Sequence, residues 1–167
     1  MNQEIKFVIG DWEIFLDNIF DNLKKSKFSI GEFKELDHIA YRTEDLETYE
    51  KIKNSLVDFS EKYNDKLFNG RSIFVCKLKN PLIYKEFVIN GIEVLAPKEN
   101  NTFKNGLEHA EFVTIDALEE FKKKHDDILF NLRAYNREEN PELVVEFQNC
   151  ACKFHAQSIL EIRGLSN

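Results

Sequence analysis

Cysteine is scarce in this chain of 167 residues, with only Cys76, Cys150 and Cys152. So sparse and odd a set excludes a disulfide framework, and reduced thiols are expected. Cys150-Ala151-Cys152 would set two thiols on one side of a strand, but no second pair exists to complete a four-sulfur zinc site, so both read as ordinary strand residues. Positive charge is short as well: 23 Lys and Arg face 30 Asp and Glu, a net charge of -7. A nucleic-acid partner needs a basic face for its phosphates, so none is expected, and the acidic balance reads as solubility. No apolar run approaches the roughly 20 residues of a bilayer span, and no basic-then-apolar leader opens the sequence. These absences give the expectation of a cytoplasmic protein without membrane contact. What is present is a globular composition, 43% hydrophobic with 15 Phe, in a length that suits one domain or two fused half-domains.

The chain is organised around a repeat. Leu36-Asp37-His38-Ile39-Ala40-Tyr41-Arg42-Thr43 is echoed seventy-one residues later by Leu107-Glu108-His109-Ala110-Glu111-Phe112-Val113-Thr114. Each copy runs Leu, acid, His, a small or aliphatic residue, then an aromatic and a closing Thr, and each precedes a helical pattern. One unit used twice about a pseudo-two-fold would bring His38 and His109 towards each other, and paired imidazoles in one cleft suit a metal.

In chain order, residues 1 to 10 carry no clear pattern. From Trp12 to Leu23 the apolar positions fall at helical spacing, with Asp11 as cap and Lys24 and Lys25 in the last turn. Residues 26 to 35 read as a connector, so 1-35 form an N-terminal helix and connector. The first module, 36-97, reads as a strand to Arg42, a helix opened by Thr43 with Leu46, Tyr49, Ile52 and Leu56 on one face, and a hairpin of 58–68 and 71–78 about the Asn69-Gly70 turn. Asn80-Pro81 breaks the run. A strand from about Tyr84 to Leu95 then carries a bend or bulge at Asn90-Gly91. A polar linker, 98–106, leads to the second module, 107-167. Its helix begins with Asp116 and Glu119 at capping-box spacing and has Leu118, Phe121, Ile128 and Leu129 as its stripe. An irregular strand is expected within 130–140, a buried strand over 142–149, a last strand from Ala151 to His155, and a short helix opened by Ser158 and Glu161. The two modules form a single α+β domain.

Of the four histidines, His125 lies in a lysine run and reads as solvent-exposed, while His38, His109 and His155 lie on strands. Two at equivalent places of a repeat, and a third on a strand expected beside one of them, indicate a shared site. A carboxylate on the last strand of the first module would mirror His155, and Glu93, set among aliphatic residues, is the best candidate, with Glu86 second. Three imidazoles and a carboxylate suit Zn, Ni, Fe or Mn. A strand period of two puts Arg42 on the face of His38, Glu111 on that of His109 and Lys153 on that of His155. Arg42 can grip an anionic group and Glu111 can serve as a general base or as a partner for imidazole. The same periodicity points Asp37 and Glu108 away from the site.

Asp37-His38-Ile39 with Arg42, Asn69-Gly70-Arg71, Glu93 before Pro97, Glu108-His109 with Glu111, Asn140-Pro141 and Lys153-Phe154-His155 with Ser158 and Glu161 resemble the YecM family within the vicinal-oxygen-chelate superfamily, over about 36–163. The resemblance implies paired beta-alpha-beta-beta-beta modules of the glyoxalase and dioxygenase type, whose curved sheet encloses a divalent-metal cleft. It implies His38, Glu93, His109 and His155 on the first, fourth, fifth and eighth strands as metal ligands. Many superfamily enzymes have a carboxylate in the place of His155, which sets the chain apart from glyoxalase I. The function expected is binding of vicinal oxygens of a small anionic molecule to the ion, acting as a Lewis acid on an enediolate or similar oxyanion. Glu111 would be the proton carrier, and Arg42, Arg71 and Lys153 the substrate-binding cations. A non-catalytic module that binds a small molecule or a metal is the alternative. Nothing in the sequence indicates an oligomer.

Overall fold

The computed structural model describes residues 2–98 and 103–166. The order of elements is α1 (Asn2–Ile9), α2 (Trp12–Lys25), a 3-10 turn (Ile30–Glu32), β1 (Phe33–Arg42), α3 (Leu46–Val57), β2 (Ser60–Phe68), β3 (Arg71–Tyr84), β4 (Phe87–Leu95), β5 (Gly106–Thr114), α4 (Leu118–Lys124), β6 (Leu143–Glu146), β7 (Ala151–His155) and α5 (Ile159–Ile162). The fold is α+β, and its strands make one curved, unclosed sheet in the order β2-β3-β4-β1-β5-β7-β6.

The central seam of that sheet is the repeat itself. β1 and β5 run antiparallel, with His38 opposite Glu111 and Ala40 opposite His109, so the two copies pair with each other about a local two-fold. Each is flanked on its outer side by a parallel partner, β4 beside β1 and β7 beside β5. Four neighbouring strands therefore carry every strand histidine together with Glu93 and Glu111.

The period of two along these strands sorts their side chains into two layers. Ile39 and Tyr41, Ile92 and Val94, Ala110 and Phe112, and Cys152 and Phe154 face one way, into a core completed by Trp12, Leu16, Ile19, Phe20 and Leu23 of α2, Tyr49, Ile52 and Leu56 of α3, and Phe121 of α4. The alternate positions face the concave side, where a second small cluster, with Ala40, Val75 and Leu95 beneath Ile159 and Leu160 of α5, fills one end. The remainder of that side is polar.

Several boundaries differ from the sequence reading. A first helix, α1, occupies part of the unpatterned N-terminus, burying Ile5 and Ile9, and Gly10 at a φ of 85° lets the chain turn into α2. Asp11 caps α2 as expected, accepting from the backbone N–H groups of Glu13 and Ile14. Asp45, not Thr43, caps α3, and Leu46 is exposed, while the Thr43 hydroxyl donates to the Leu95 carbonyl. β3 continues through Asn80-Pro81, because the register with β4 shifts between Lys77 and Leu82, and a proline is tolerated where ladder bonds are already lost. Asn90-Gly91 lies opposite that irregularity. In α4 the expected capping box is absent, Ala117 holds the cap position, and the helix ends before Ile128 and a fully displayed Leu129. The strand expected within 130–140 is reduced to a single bridge between Asn131 and Val144, so among the described residues the sheet has seven strands and His155 closes the seventh. Part of the proposed linker, residues 99–102, lies outside the described residues.

Candidate metal centre

His38, Glu93, His109 and Glu111, each almost wholly buried, bring one ligand atom apiece within 4.8 Å of one another on the concave side of the sheet. His109 Nε2 is 3.4 Å from Glu93 Oε2 and 3.0 Å from Glu111 Oε1, while His38 Nε2 is 3.5 Å from Glu111 Oε2 and 3.9 Å from Glu93 Oε2. The two imidazole rings lie nearly perpendicular, with centroids 6.3 Å apart. Gly91 makes room for this: a Cβ there would come 2.9 Å from the Cβ of His38, its direct neighbour across β1 and β4.

His155 belongs to a second, overlapping group with Glu111 and Glu142. Its Nε2 lies 2.8 Å from Glu111 Oε2 yet makes no hydrogen bond there, and Glu142 Oε2 is 3.7 Å away. Three of the four ligands expected from sequence therefore meet, Glu111 stands in the fourth place, and His155 backs Glu111. Glu86, the second-choice carboxylate, sits exposed on the turn between β3 and β4.

The acids preceding the two histidines are turned inwards, contrary to the simple alternation of a strand. The register between β1 and β5 shifts between Leu36 and His38 and again opposite Leu107 and His109, which leaves Asp37 and Glu108 as the extra residues of two bulges. Each reaches the histidine that follows it. His38 Nδ1–H donates to Asp37 Oδ2 at 2.8 Å, and His109 Nδ1–H donates to Glu108 Oε2 at 3.0 Å. This fixes ring orientation and leaves Nε2 of each imidazole aimed into the cluster. Asp37 also receives the Ser158 hydroxyl and the Ile159 N–H, tying the start of α5 to His38. Glu108 in turn receives Arg42 at 2.5 Å.

Burial opposes charge throughout this cluster, and opposite partners overcome it. His109 is pushed down by burial and by Lys153, but its bonds to Glu108 and Glu111 and the nearness of Glu93 lift it to about 10. His38 is likewise raised, against burial, by Glu111 and Asp37. Burial would raise Glu111, yet Lys153, His38 and His155 hold it well below the ordinary carboxylate range. Glu93 is lowered by the nearby His109 imidazole, and Glu108 falls to about 2 under His109 and Arg42, again against burial. Lys153 donates to Glu111 Oε1 at 2.9 Å and stands 3.6 Å from Glu142, so this residue serves the cluster rather than the solvent.

Two imidazoles and two carboxylates on converging atoms are a donor set for a divalent cation. The fit has a specific sign: His38 Nε2 and Glu93 Oε2 are buried without a hydrogen-bond partner, an arrangement that costs stability unless a cation joins them.

Above the cluster opens a cavity of about 960 Å³ whose floor includes Glu93, His109 and Glu111. Arg42, Arg71 and Lys153, the three cations expected from sequence, line it, and so do Lys98, Arg133 and Arg137, which the sequence reading left out. Arg133 and Arg137 come from the segment that lacks a periodic pattern, so only their four-residue spacing would have signalled them. His125, expected in solvent, is buried instead. Its ring lies 4.4 Å from that of Phe28 and 4.8 Å from that of Phe121, and Nε2 meets Glu32 at 3.0 Å, far from the cavity's lining. The three cysteines are free and buried.

No curated protein matches the chain. Among solved structures, it is similar to a structural-genomics protein designated EC4020, at 23% identity over 95% of this chain and 91% of that one, with a TM-score of 0.76. A provisionally named dioxygenase from Bacillus subtilis subsp. subtilis str. 168 is a more distant likeness, at 10% identity over 77% of this chain and 42% of that one, with a TM-score of 0.48. A family model described as YecM protein matches residues 4–139, a span that includes His38, Glu93, His109 and Glu111 and ends before Lys153 and His155. With most of its length matched and the two central strands inside the match, the chain belongs to the YecM family.

Proposed function

We propose that the chain is a metal-binding protein of the vicinal-oxygen-chelate type, with a divalent ion held by His38, Glu93, His109 and Glu111 and a small anionic, oxygen-rich molecule bound above it. The observation that carries this reading is the pair of orphaned, fully buried atoms, His38 Nε2 and Glu93 Oε2, aimed at one point beside His109 and Glu111. When bound, the ion supplies Lewis-acid polarisation of ligand oxygens. Asp37 and Glu108 hold the two imidazoles by Nδ1 and so keep Nε2 of each turned to where the ion would sit, and Lys153 keeps Glu111 in place. Arg42 and Arg71 receive the anionic part of the ligand.

The state of Glu111 bears on catalysis. As a ligand to the ion, Glu111 would not also be a free proton acceptor, and a module that binds without turnover is the second reading.

Elemental mass spectrometry of untagged protein, beside His109→Ala, tests the metal. Near-stoichiometric metal that disappears in the variant is the expected result. Protein that holds none, and takes up none from Zn, Ni, Mn or anaerobic Fe, sinks the reading. Turnover on a panel of hydroxy-keto acids separates enzyme from binding module.

A further inference from the structure

The cavity has two poles. Its lining joins Glu93, His109 and Glu111 of the cluster to Arg42, Arg71, Lys98, Arg133 and Arg137 from four separate parts of the chain, with Glu108, Glu139, Glu142 and Glu146 among them. That gathering runs against a net charge of -7. It also persists at a cost, since the guanidinium of Arg71 is shifted down by burial and by Arg42, and the ammonium of Lys98 by burial and by Arg71, Arg133, Arg42 and Arg137 together. Two of the cations are partly answered: Arg42 binds Glu108, and Arg137 Nη1 stands 3.8 Å from Glu142. Arg71 is not. Its Nε and Nη1 are buried without a hydrogen-bond partner among the described residues, and so is Nε of Arg42. Each of these buried N–H groups is a donor that an oxygen of a carboxylate or phosphate can satisfy.

We propose that the cavity is built for a ligand with two separate oxygen-rich ends, one presented to the metal cluster and the other an oxyanion, phosphate or carboxylate, held by Arg71 and Arg42 and enclosed by Lys98, Arg133 and Arg137. The orientation of such a ligand rests on the metal reading; the oxyanion pole does not. Arg42 links the two, because the same side chain that faces the oxyanion also grips Glu108, which in turn holds His109. The ligand class is then a phosphorylated or dicarboxylic small metabolite.

Calorimetric titration at low salt with inorganic phosphate and, separately, with malonate tests this on protein as purified, with metal content measured on the same samples. The expected result is saturable binding of at least one probe, weakened tenfold or more in Arg71→Gln at unchanged metal content. The exposed Arg133→Gln, which removes no packed atoms, is expected to weaken the same probe severalfold with no change in melting temperature. The probe that binds better assigns the pole to phosphate or to carboxylate. Binding by wild type that both variants retain in full, or no binding of either probe, overturns the proposal. Probe binding in protein that takes up no metal leaves the oxyanion pole standing and removes the metal reading alone.

Discussion

At the scale of single residues, the centre depends on side chains that touch no ligand. Asp37 and Glu108 each hold Nδ1 of the next histidine, and partners of this kind, when removed, cost roughly 10–100-fold in metal affinity. Glu108→Gln is expected to lower affinity by that order, with the fold intact, in a competition titration against a chelating dye. Asp37→Ala is expected to lose as much affinity and also about 1–3 kcal/mol of stability in urea, because the Ser158 hydroxyl and the Ile159 N–H lose their acceptor. Unchanged affinity in both variants would show that the imidazoles are oriented by packing alone. These two acids were not legible from the sequence, since the period-two rule places them on the opposite face and only the bulges turn them back. His38, Glu93 and His109 were legible, because an ionisable residue in an apolar strand costs stability, and a chain that places one in each copy of a repeat gains something from the pair. His125 was misread because its neighbours in sequence are lysines while its neighbours in space are Phe28 and Phe121.

At the scale of elements, β4 lies against β1 where Gly91 faces His38. In Gly91→Ala the new Cβ would meet His38 Cβ at 2.9 Å and the Asp37 carbonyl oxygen at 3.3 Å, and neither belongs to a flexible side-chain end. The variant is expected to lose about 1–3 kcal/mol in urea denaturation and to bind metal more weakly, as strand and imidazole are forced apart. A wild-type midpoint would mean that the strands part freely, and that the site tolerates the shift. The elements bounded by turns were legible: Asn69-Gly70 makes the β2–β3 hairpin with φ values of 49° and 78°, and Asp11 caps α2. Where local signals conflicted with pairing, pairing decided. β3 passes through Pro81 because its neighbour is already out of register there, and the segment before β6 keeps only one bridge because its residues pack as turns.

For the molecule as a whole, the centre links metal and protons. Without a cation the carboxylates keep protons on the imidazoles, with His109 lifted to about 10, and a ligand nitrogen must give up its proton when a metal binds. Affinity is therefore expected to rise with pH over roughly pH 6 to 9, with about one or two protons released per ion, which calorimetry in buffers of different ionisation enthalpy measures directly. Uptake that is flat with pH and releases no protons would mean the ion sits elsewhere. The pairing of the two repeat copies at the centre of an α+β fold was legible at this scale because the repeat advertises it. The cationic mouth was not, because Lys98, Arg133 and Arg137 have no pattern in sequence and are assembled only by the curvature of the sheet.

The antiparallel seam between β1 and β5 also sets the order in which the molecule can be made. His38 meets Glu111 across a loop of about 70 residues, so β1 waits with one edge bare until more than half of the chain has left the ribosome. During that wait the first half holds only His38 and Glu93 of the cluster, too few to retain an ion. On the proposed reading, metal capture would therefore be a late event in synthesis, coincident with docking of the second half, and a chain cut short before β5 is expected to be a sticky fragment with an open strand edge.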